Sequence, residues 1–296
     1  MDVGQPTLDQ LRIFLAVAEE GGFGGAARRL GRAVSVVSYG VSTLEAQLGV
    51  ALFDREGSRR PRLTDAGRAL LAEARAVVDA TDGLIAHARS IQQGIETEVS
   101  LALDVMVPFA KVAAVLKQFQ QAFPLVDLRL HVEALGAVAA LVLDGRARLA
   151  IGGPDIVDLP ELARREVGRV ELVPVAAPGH PLARLAEVRP GQARHYLQLV
   201  LTDRSPLTDG REFSVLSPRT WRLADLGAKH ALLLEGSGWG NMPRHLVADD
   251  LAAGRLKKLF LSEGSSVRYQ LNALWRKDCG PGPATTWLLE ALEAAL

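Results

Sequence analysis

The segment from Leu30 to Leu48, LGRAVSVVSYGVSTLEAQL, constrains the chain more than any other. Val37, Val41, Leu44 and Leu48 recur at four-, three- and four-residue steps, which places them on one stripe of an α-helix. Ser35, Ser38, Tyr39 and Ser42 fall on another face, which carries hydroxyls and no carboxylate. A merely solvated helix would more often show Glu and Lys there, whereas small donors and acceptors can approach a polyanion closely and reach base edges. Gly49 suits a left-handed C-terminal cap. Upstream, Thr7 and Gln10 have capping-box spacing, and Leu8, Leu11, Phe14, Leu15 and Ala18 repeat as a helix that Gly21-Gly22 ends. A short segment from Gly25 to Leu30 and the turn Gly31-Arg32-Ala33 complete the order helix, short helix, glycine turn, helix. In that order the last helix enters a DNA major groove. An ordinary three-helix packing unit has the same pattern, and the next segment separates the two readings.

Val50 to Phe53 is short and apolar, and DREGSRRPR follows, a Gly/Ser/Pro-punctuated loop with four arginines against two acids. It reads as a basic wing whose arginines contact phosphates or the minor groove and supply salt-dependent, sequence-independent affinity. No lysine precedes Lys111, so every early cation is the planar, bidentate kind. The expected DNA contacts are Arg32, Ser35, Val36, Ser38, Tyr39 and Ser42 on the helix side, with Arg55, Arg59, Arg60 and Arg62 in the wing.

The run from Leu11 to Leu71 resembles the N-terminal winged helix-turn-helix of the LysR-type transcriptional regulators. Ala26-Ala27, Leu30, Ser38, Leu44-Glu45, Leu48-Gly49, Leu52-Phe53, Arg55, Leu63-Thr64 and Gly67 match that family's pattern in register. The chain departs from it at Gly24 and Gly25, where the family usually has Ser or Thr, at Val34, where it has Gln, and at Tyr39, where it has Arg. Losing the Gln and the Arg removes two donors that often touch DNA, so the family's operator preference does not carry over. Tyr39 can instead make apolar contact with a thymine methyl.

Formal net charge is zero, with 34 Lys and Arg against 34 Asp and Glu. A DNA-binding chain needs only clustered cations, and Arg28, Arg29, Arg32, Arg55, Arg59, Arg60 and Arg62 fall in the first quarter. At 296 residues, 48% hydrophobic and a mean hydropathy of +0.13, the chain is expected to fold into two or three domains. Its single cysteine, Cys279, excludes an intramolecular disulfide framework and a cysteine-based zinc cluster. The N-terminal segment has no secretory pattern, and no window approaches the roughly eighteen apolar residues of a membrane span. The expectation is a cytoplasmic chain with no membrane partner.

Thr64 to Gln93 reads as one long helix, with Leu70, Val77, Leu84 and Ile91 seven residues apart and Leu71, Val78 and Ile85 broadening the stripe. A seven-residue apolar repeat argues for pairing with a second copy of the chain; packing on its own core is the other reading. From Val99 onward short β-branched or leucine-rich runs alternate with helical ones, as in a doubly wound α/β domain. Strands are expected at Val99–Leu103, Val126–Val132, Leu149–Gly152, Leu172–Ala176, Leu197–Thr202, Ala231–Leu234 and Tyr269–Trp275. Helices are expected at Pro108–Phe123, Ala137–Asp144, Pro243–Ala253 and Pro283–Leu296. The resemblance implies two α/β units joined by crossing strands, the periplasmic-binding-protein-like architecture of LysR-type effector domains. The fold class is therefore α plus α/β: a winged helix-turn-helix over 1–64, a linker dimerisation helix over 65–94, and a two-subdomain effector domain over 95–296.

Ligands of such sheets sit at the carboxyl ends of strands, near helix N-termini with free backbone donors. That rule points to Asp104, Val105 and Met106, to Gly153 and Asp155, to Thr202 and Asp203, and to Ser237, Gly238 and Trp239. Many relatives place a small hydroxyl residue at Asp104, and a carboxylate there repels an anion unless protonated or paired. This favours a neutral, cationic or hydroxyl-rich effector, unless Asp104 caps the next helix and never meets the ligand.

Catalysis finds little support. The six histidines are scattered without the His-Glu-x-x-His spacing, and Gly236-Ser237-Gly238 is neither a nucleophile elbow nor a dinucleotide fingerprint. No enzyme activity, metal or cofactor is expected. The expected partners are double-stranded DNA, a small-molecule effector and further copies of the chain as a homodimer or homotetramer, with RNA polymerase a further candidate. The competing reading is a cytosolic solute-binding module whose N-terminal helices only dimerise it.

Overall fold

Helix α1, Leu8–Glu20, begins at the expected capping box: the Gln10 amide N–H donates to Thr7 Oγ1, and the Thr7 amide donates to Gln10 Oε1 at 2.7 Å. Helix α2, Phe23–Leu30, starts two residues before the expected Gly25, and α3 runs Val34–Leu48. Gly21 and Gly49 close α1 and α3 at φ of 64° and 71°, values that L side chains rarely adopt. The computed structural model describes residues 4–54, 61–154, 159–202, 205–209, 211, 213–262 and 267–296. The chain divides into two units, Met1–Gln92 and Gln93–Leu296.

In the first unit Val37, Val41 and Leu44 are fully buried with Ile13, Phe14, Leu52 and Phe53. Each such side chain contributes about 1.5–3 kcal/mol on leaving water. Leu48, placed on the same stripe by its spacing, is exposed at the end of the helix, so the buried stripe is one turn shorter than expected. Strands β1, Phe53–Asp54, and β2, Arg62–Leu63, pair antiparallel. Glu45 Oε1 accepts from the Leu52 and Phe53 amides at 2.8 and 3.1 Å, which fastens β1 to α3. Thr64 Oγ1 donates to the Ala51 carbonyl at 2.6 Å and accepts from the Gly67 amide at 2.9 Å, capping helix α4, Asp65–Gln92. A Cβ on Gly67 would lie 2.1 Å from the Leu52 carbonyl oxygen, so only glycine fits where α4 crosses that loop.

Helix α4 changes character along its length. Leu70, Leu71, Ala74 and Val78 pack on the core of the first unit, so there the own-core reading of the repeat holds. Val77, Leu84, Ile85 and Ile91 stay exposed.

The second unit contains β3 (Glu98–Asp104), α5 (Phe109–Ala122), β4 (Asp127–Glu133), α6 (Gly136–Leu143), β5 (Leu149–Gly152) and β6 (Leu162–Ala176). It continues with β7 (Gln198–Leu201), β8 (Thr220–Leu223), α7 (Leu226–Leu234), β9 (Trp239–Pro243) and α8 (Arg244–Ala252). Strands β10 (Lys257–Lys258) and β11 (Val267–Arg276) and helix α9 (Pro283–Ala295) complete it. Its sheet runs β4-β3-β5-β11-β6-β9-β7-β8, with β10 on β6. One half is built on parallel β4, β3 and β5, the other on parallel β8, β7 and β9. The long antiparallel pair β6 and β11 joins them, with a register shift at Leu271/Asn272. Phe119 of α5 and Phe123, which caps it, pack their rings against Trp287 of α9, which brings the last helix back to the first half.

Three expectations for this unit need correction. Strand β6 starts ten residues before the expected Leu172, because Arg164, Arg165, Glu166 and Arg169 interrupt the apolar pattern without leaving the strand. Ala231–Leu234 is the end of helix α7, since a run of four apolar residues does not distinguish buried strand from buried helix. Strand β9 follows it, and β8 was not expected at all. No helix among the described residues is long and apolar enough to cross a membrane.

Candidate nucleic-acid interface and ligand cleft

With Val37, Val41 and Leu44 turned inward, α3 presents Ser35, Val36 and Tyr39 outward, and Tyr39 is 74% exposed. Ser38 and Ser42 are half-buried beside them. The helix has no side-chain N-cap at Ala33 and no acid in its first turn, so its positive end is uncovered. A phosphate could settle there while the flanking side chains meet a groove.

Not every early arginine is available for that task. Arg32 forks onto Asp9 at 2.7 and 2.8 Å, which holds the Asp9 carboxyl below its ordinary range. Arg29 and Arg75 converge on Glu19, Arg12 pairs with Asp82 and Arg68 with Asp65. These are exposed pairs weakened by water and salt, so a phosphate can compete for the guanidinium. Among the described residues no carboxylate pairs with Arg28 or with Arg62, which is exposed on β2. Arg55, Arg59 and Arg60 lie outside the described residues.

In the second unit a cleft with about 300 Å³ open to water is lined from both halves of the sheet, by loops that follow the first half's strands and by β7 along its whole length. Met106, Leu135 and Pro154 come from loops of the first half. Leu172, the stretch from Gln198 to Leu201, Lys229 and Asn241 come from the second, and Tyr269 from β11. Leu135 and Ser214, the non-glycine residues with positive φ among the described ones, both border it. Strain of that kind tends to collect where a backbone is shaped for a ligand.

Asp104 is 1% exposed and stands behind this wall rather than in it. Its Oδ1 accepts from the Met106 amide at 2.8 Å; its Oδ2 accepts from the Leu135 amide at 3.2 Å and from Tyr269 Oη at 2.8 Å. The carboxylate therefore positions three residues that line the cleft. The premise that it confronts a ligand as a bare charge does not hold. Gly153 makes the arrangement possible, because a Cβ there would lie 2.0 Å from Tyr269 Oη.

The other expected effector residues divide. Met106 lines the cleft; Val105, with Asp104, borders a separate depression beside Phe109, Val132 and His230. Thr202 follows β7 and its amide donates to the Leu223 carbonyl. Asp155 and Asp203 lie outside the described residues. Ser237, Gly238 and Trp239 form a helix-to-strand connection, not the strand-to-helix loop expected. Trp239 is fully buried with Ala176, Leu182 and Val188, so its ring fills a core and does not line the cleft. Gly238 is required because a Cβ would lie 2.6 Å from the Leu197 carbonyl oxygen.

The sequence reading missed Lys229, which is 3% exposed in the middle of α7 and donates to the Asn241 carbonyl at 2.7 Å. Burial pushes its pKa down to about 8. The available signal was a lysine inside the otherwise apolar helix LGAKHALLL. Gln198 was missed as well; its amide donates to the Ser214 carbonyl and accepts from the Leu216 and Ser217 amides, fixing that border of the cleft. His230 is held by buried Asp250, which also binds Arg255. Burial raises the Asp250 pKa, but these two hydrogen bonds outweigh it and leave the carboxyl low. Among the described residues no group of three or more His, Cys, Asp or Glu is placed to hold a metal.

Residues 8–68 match the family described as bacterial regulatory helix-turn-helix protein, lysR family, and residues 92–296 match the LysR substrate binding domain. The probable HTH-type transcriptional regulator YhaJ of Escherichia coli K12 is 32% identical over 304 residues, covering 97% of this chain and 95% of the relative. Among solved structures, a C206 mutant of Corynebacterium glutamicum OxyR superposes with a TM-score of 0.54 at 20% identity, over 99% of this chain and 92% of that one. The regulator LysG of the same organism, with bound effector Arg, gives 0.50 at 21% identity, over 98% and 97%.

Proposed function

We propose how this chain, which belongs to the LysR family of transcriptional regulators, divides DNA binding and effector binding among its residues. It is a DNA-binding regulator with an effector-binding domain. In our reading α3 lies in the major groove, with Ser35, Val36, Ser38, Tyr39 and Ser42 against base edges and sugar-phosphate. Arg32 and the wing arginines Arg55, Arg59, Arg60 and Arg62 meet the backbone. The observation that carries this is the 74% exposure of Tyr39 on a face without carboxylates, in the second turn of a helix whose N-terminus has no side-chain cap.

The exposed stripe Val77, Leu84, Ile85 and Ile91 pairs α4 with a second copy, and two DNA-binding units then read two half-sites. An effector in the cleft changes the angle between the two halves of the sheet about β6 and β11, and the oligomer passes the change to the DNA-binding units. The domain bounds in this reading are 1–64, 65–94 and 95–296, the assembly is a homodimer or homotetramer, and the site of action is the cytoplasm. RNA polymerase is the further partner such a regulator would meet. The arginine bound to C. glutamicum LysG supports a small polar ligand for the effector domain without naming the one used here.

A salt series of electrophoretic shifts on the DNA upstream of the chain's own gene tests this. Arg59→Ala with Arg60→Ala should weaken binding to all sequences and lower the salt slope by about two, whereas Ser38→Ala should alter preference among sequences. Identical effects from both would contradict the division of roles. Leu84→Glu with Ile91→Glu should leave a monomer in sedimentation, and an unchanged assembly would move the interface elsewhere.

A further inference from the structure

We propose that Lys229 selects the ligand of the cleft, and that this ligand carries one carboxylate on an apolar body. The inference rests on reading the cleft as the effector site. An ammonium has three N–H donors, and Lys229 uses one of them, on the Asn241 carbonyl. Among the described residues no carboxylate pairs with it. A desolvated cation with donors to spare is costly to keep, and apolar replacement at such a site is commonly tolerated or stabilising. Lys229 nevertheless borders the cleft, where an incoming acceptor would reach it.

Two of the polar side chains beside it are already committed. Gln198 is spent on its own border loop, and Tyr269 donates to Asp104, whose carboxylate is engaged behind the wall. Tyr269 is the other titratable side chain among the described residues that line the cleft, and His230, next on α7, faces Asp250 instead. The complement to Lys229 is therefore an anion. With one cation among those lining residues, a monoanion is matched in charge and a phosphate dianion is not. Met106, Leu135, Leu172, Leu199 and Phe213 give the remainder of the ligand an apolar surround, and about 300 Å³ suits one ring or a short branched chain. This reverses the neutral, cationic or hydroxyl-rich effector that Asp104 suggests when read from sequence.

Benzoate and benzamide test the assignment, being alike in size and different in charge. Thermal unfolding and calorimetry of the full-length protein, at neutral pH and matched ionic strength, should show benzoate raising Tm and benzamide not. Lys229→Met should weaken benzoate about tenfold or more, and Lys229→Gln, which keeps a donor for the Asn241 carbonyl, should do the same. Circular dichroism of both variants checks that they fold. Equal binding of the two probes, undiminished benzoate binding in both variants, or binding of neither probe would each overturn the proposal. Equal binding that disappears in the cleft-filling Leu201→Trp variant, at a half-buried lining position, would still leave the effector-site reading standing. Binding that survives Leu201→Trp would remove that reading too.

Discussion

On α3, Ser35 and Tyr39 reach water because Val37, Val41 and Leu44 take the whole burden of packing; in the cleft, Lys229 is 3% exposed and Asp104 1%. The first surface separates recognition from stability by helical periodicity, one face for each. The second merges them, because the groups that shape the cleft also satisfy buried donors of its loops. Substitutions on α3 should therefore change binding and spare the fold, while substitutions around the cleft should change both.

The largest test of that contrast is Asp104→Ala. It takes the acceptor from the Met106 and Leu135 amides and the Tyr269 hydroxyl, and should cost about 3–5 kcal/mol in urea unfolding, the lower part of the range that roughly 1–3 kcal/mol per buried donor allows. A loss near that of a surface substitution would mean the cleft wall is not held by this carboxylate.

Lys229→Met should come next and in the opposite direction, stabilising the ligand-free protein at neutral pH by about 1 kcal/mol, the relieved desolvation less the cost of leaving the Asn241 carbonyl without its donor. The sign follows from burial pushing the Lys229 pKa from 10.5 to about 8. The unfolded chain holds that proton over a range where the folded chain has released it, so wild-type stability should rise as pH goes from about 8 toward 10.5. The penalty is fully present below that window. Lys229→Met should lack this rise, and parallel pH profiles for the two proteins would contradict it.

Tyr39→Ala should give the smallest change in stability, within about 0.5 kcal/mol, because the side chain lies mostly in solvent. Its operator affinity should nevertheless fall. A large stability loss would make Tyr39 a packing residue and erase the contrast.

The same contrast explains what could be read from sequence. The Thr7–Gln10 box, the glycine caps at Gly21 and Gly49 and the Val37–Val41–Leu44 stripe are local patterns, set by neighbours three or four residues apart. The cleft depends on contacts such as Asp104 to Tyr269, 165 positions apart, which leave no periodic trace. The rule that ligands gather at strand ends points to Met106 and Asp104 alike, and only the fold shows that one lines the cleft and the other supports it. Ala231–Leu234 misled because its four residues fit a strand as well as a helix. That error turned the Ser237–Trp239 connection around and placed a core tryptophan in a binding site.

The central claim is that the outer face of α3 touches DNA, and site-specific photo-crosslinking tests it most directly. A photoreactive phenylalanine analogue placed at position 39 in the full-length protein, irradiated with DNA from upstream of its own gene, should give a protein–DNA adduct that fades as salt is raised. The same analogue at Phe260, a comparably open site in the second unit, should give none. An adduct from position 260 with none from position 39 would contradict the assignment.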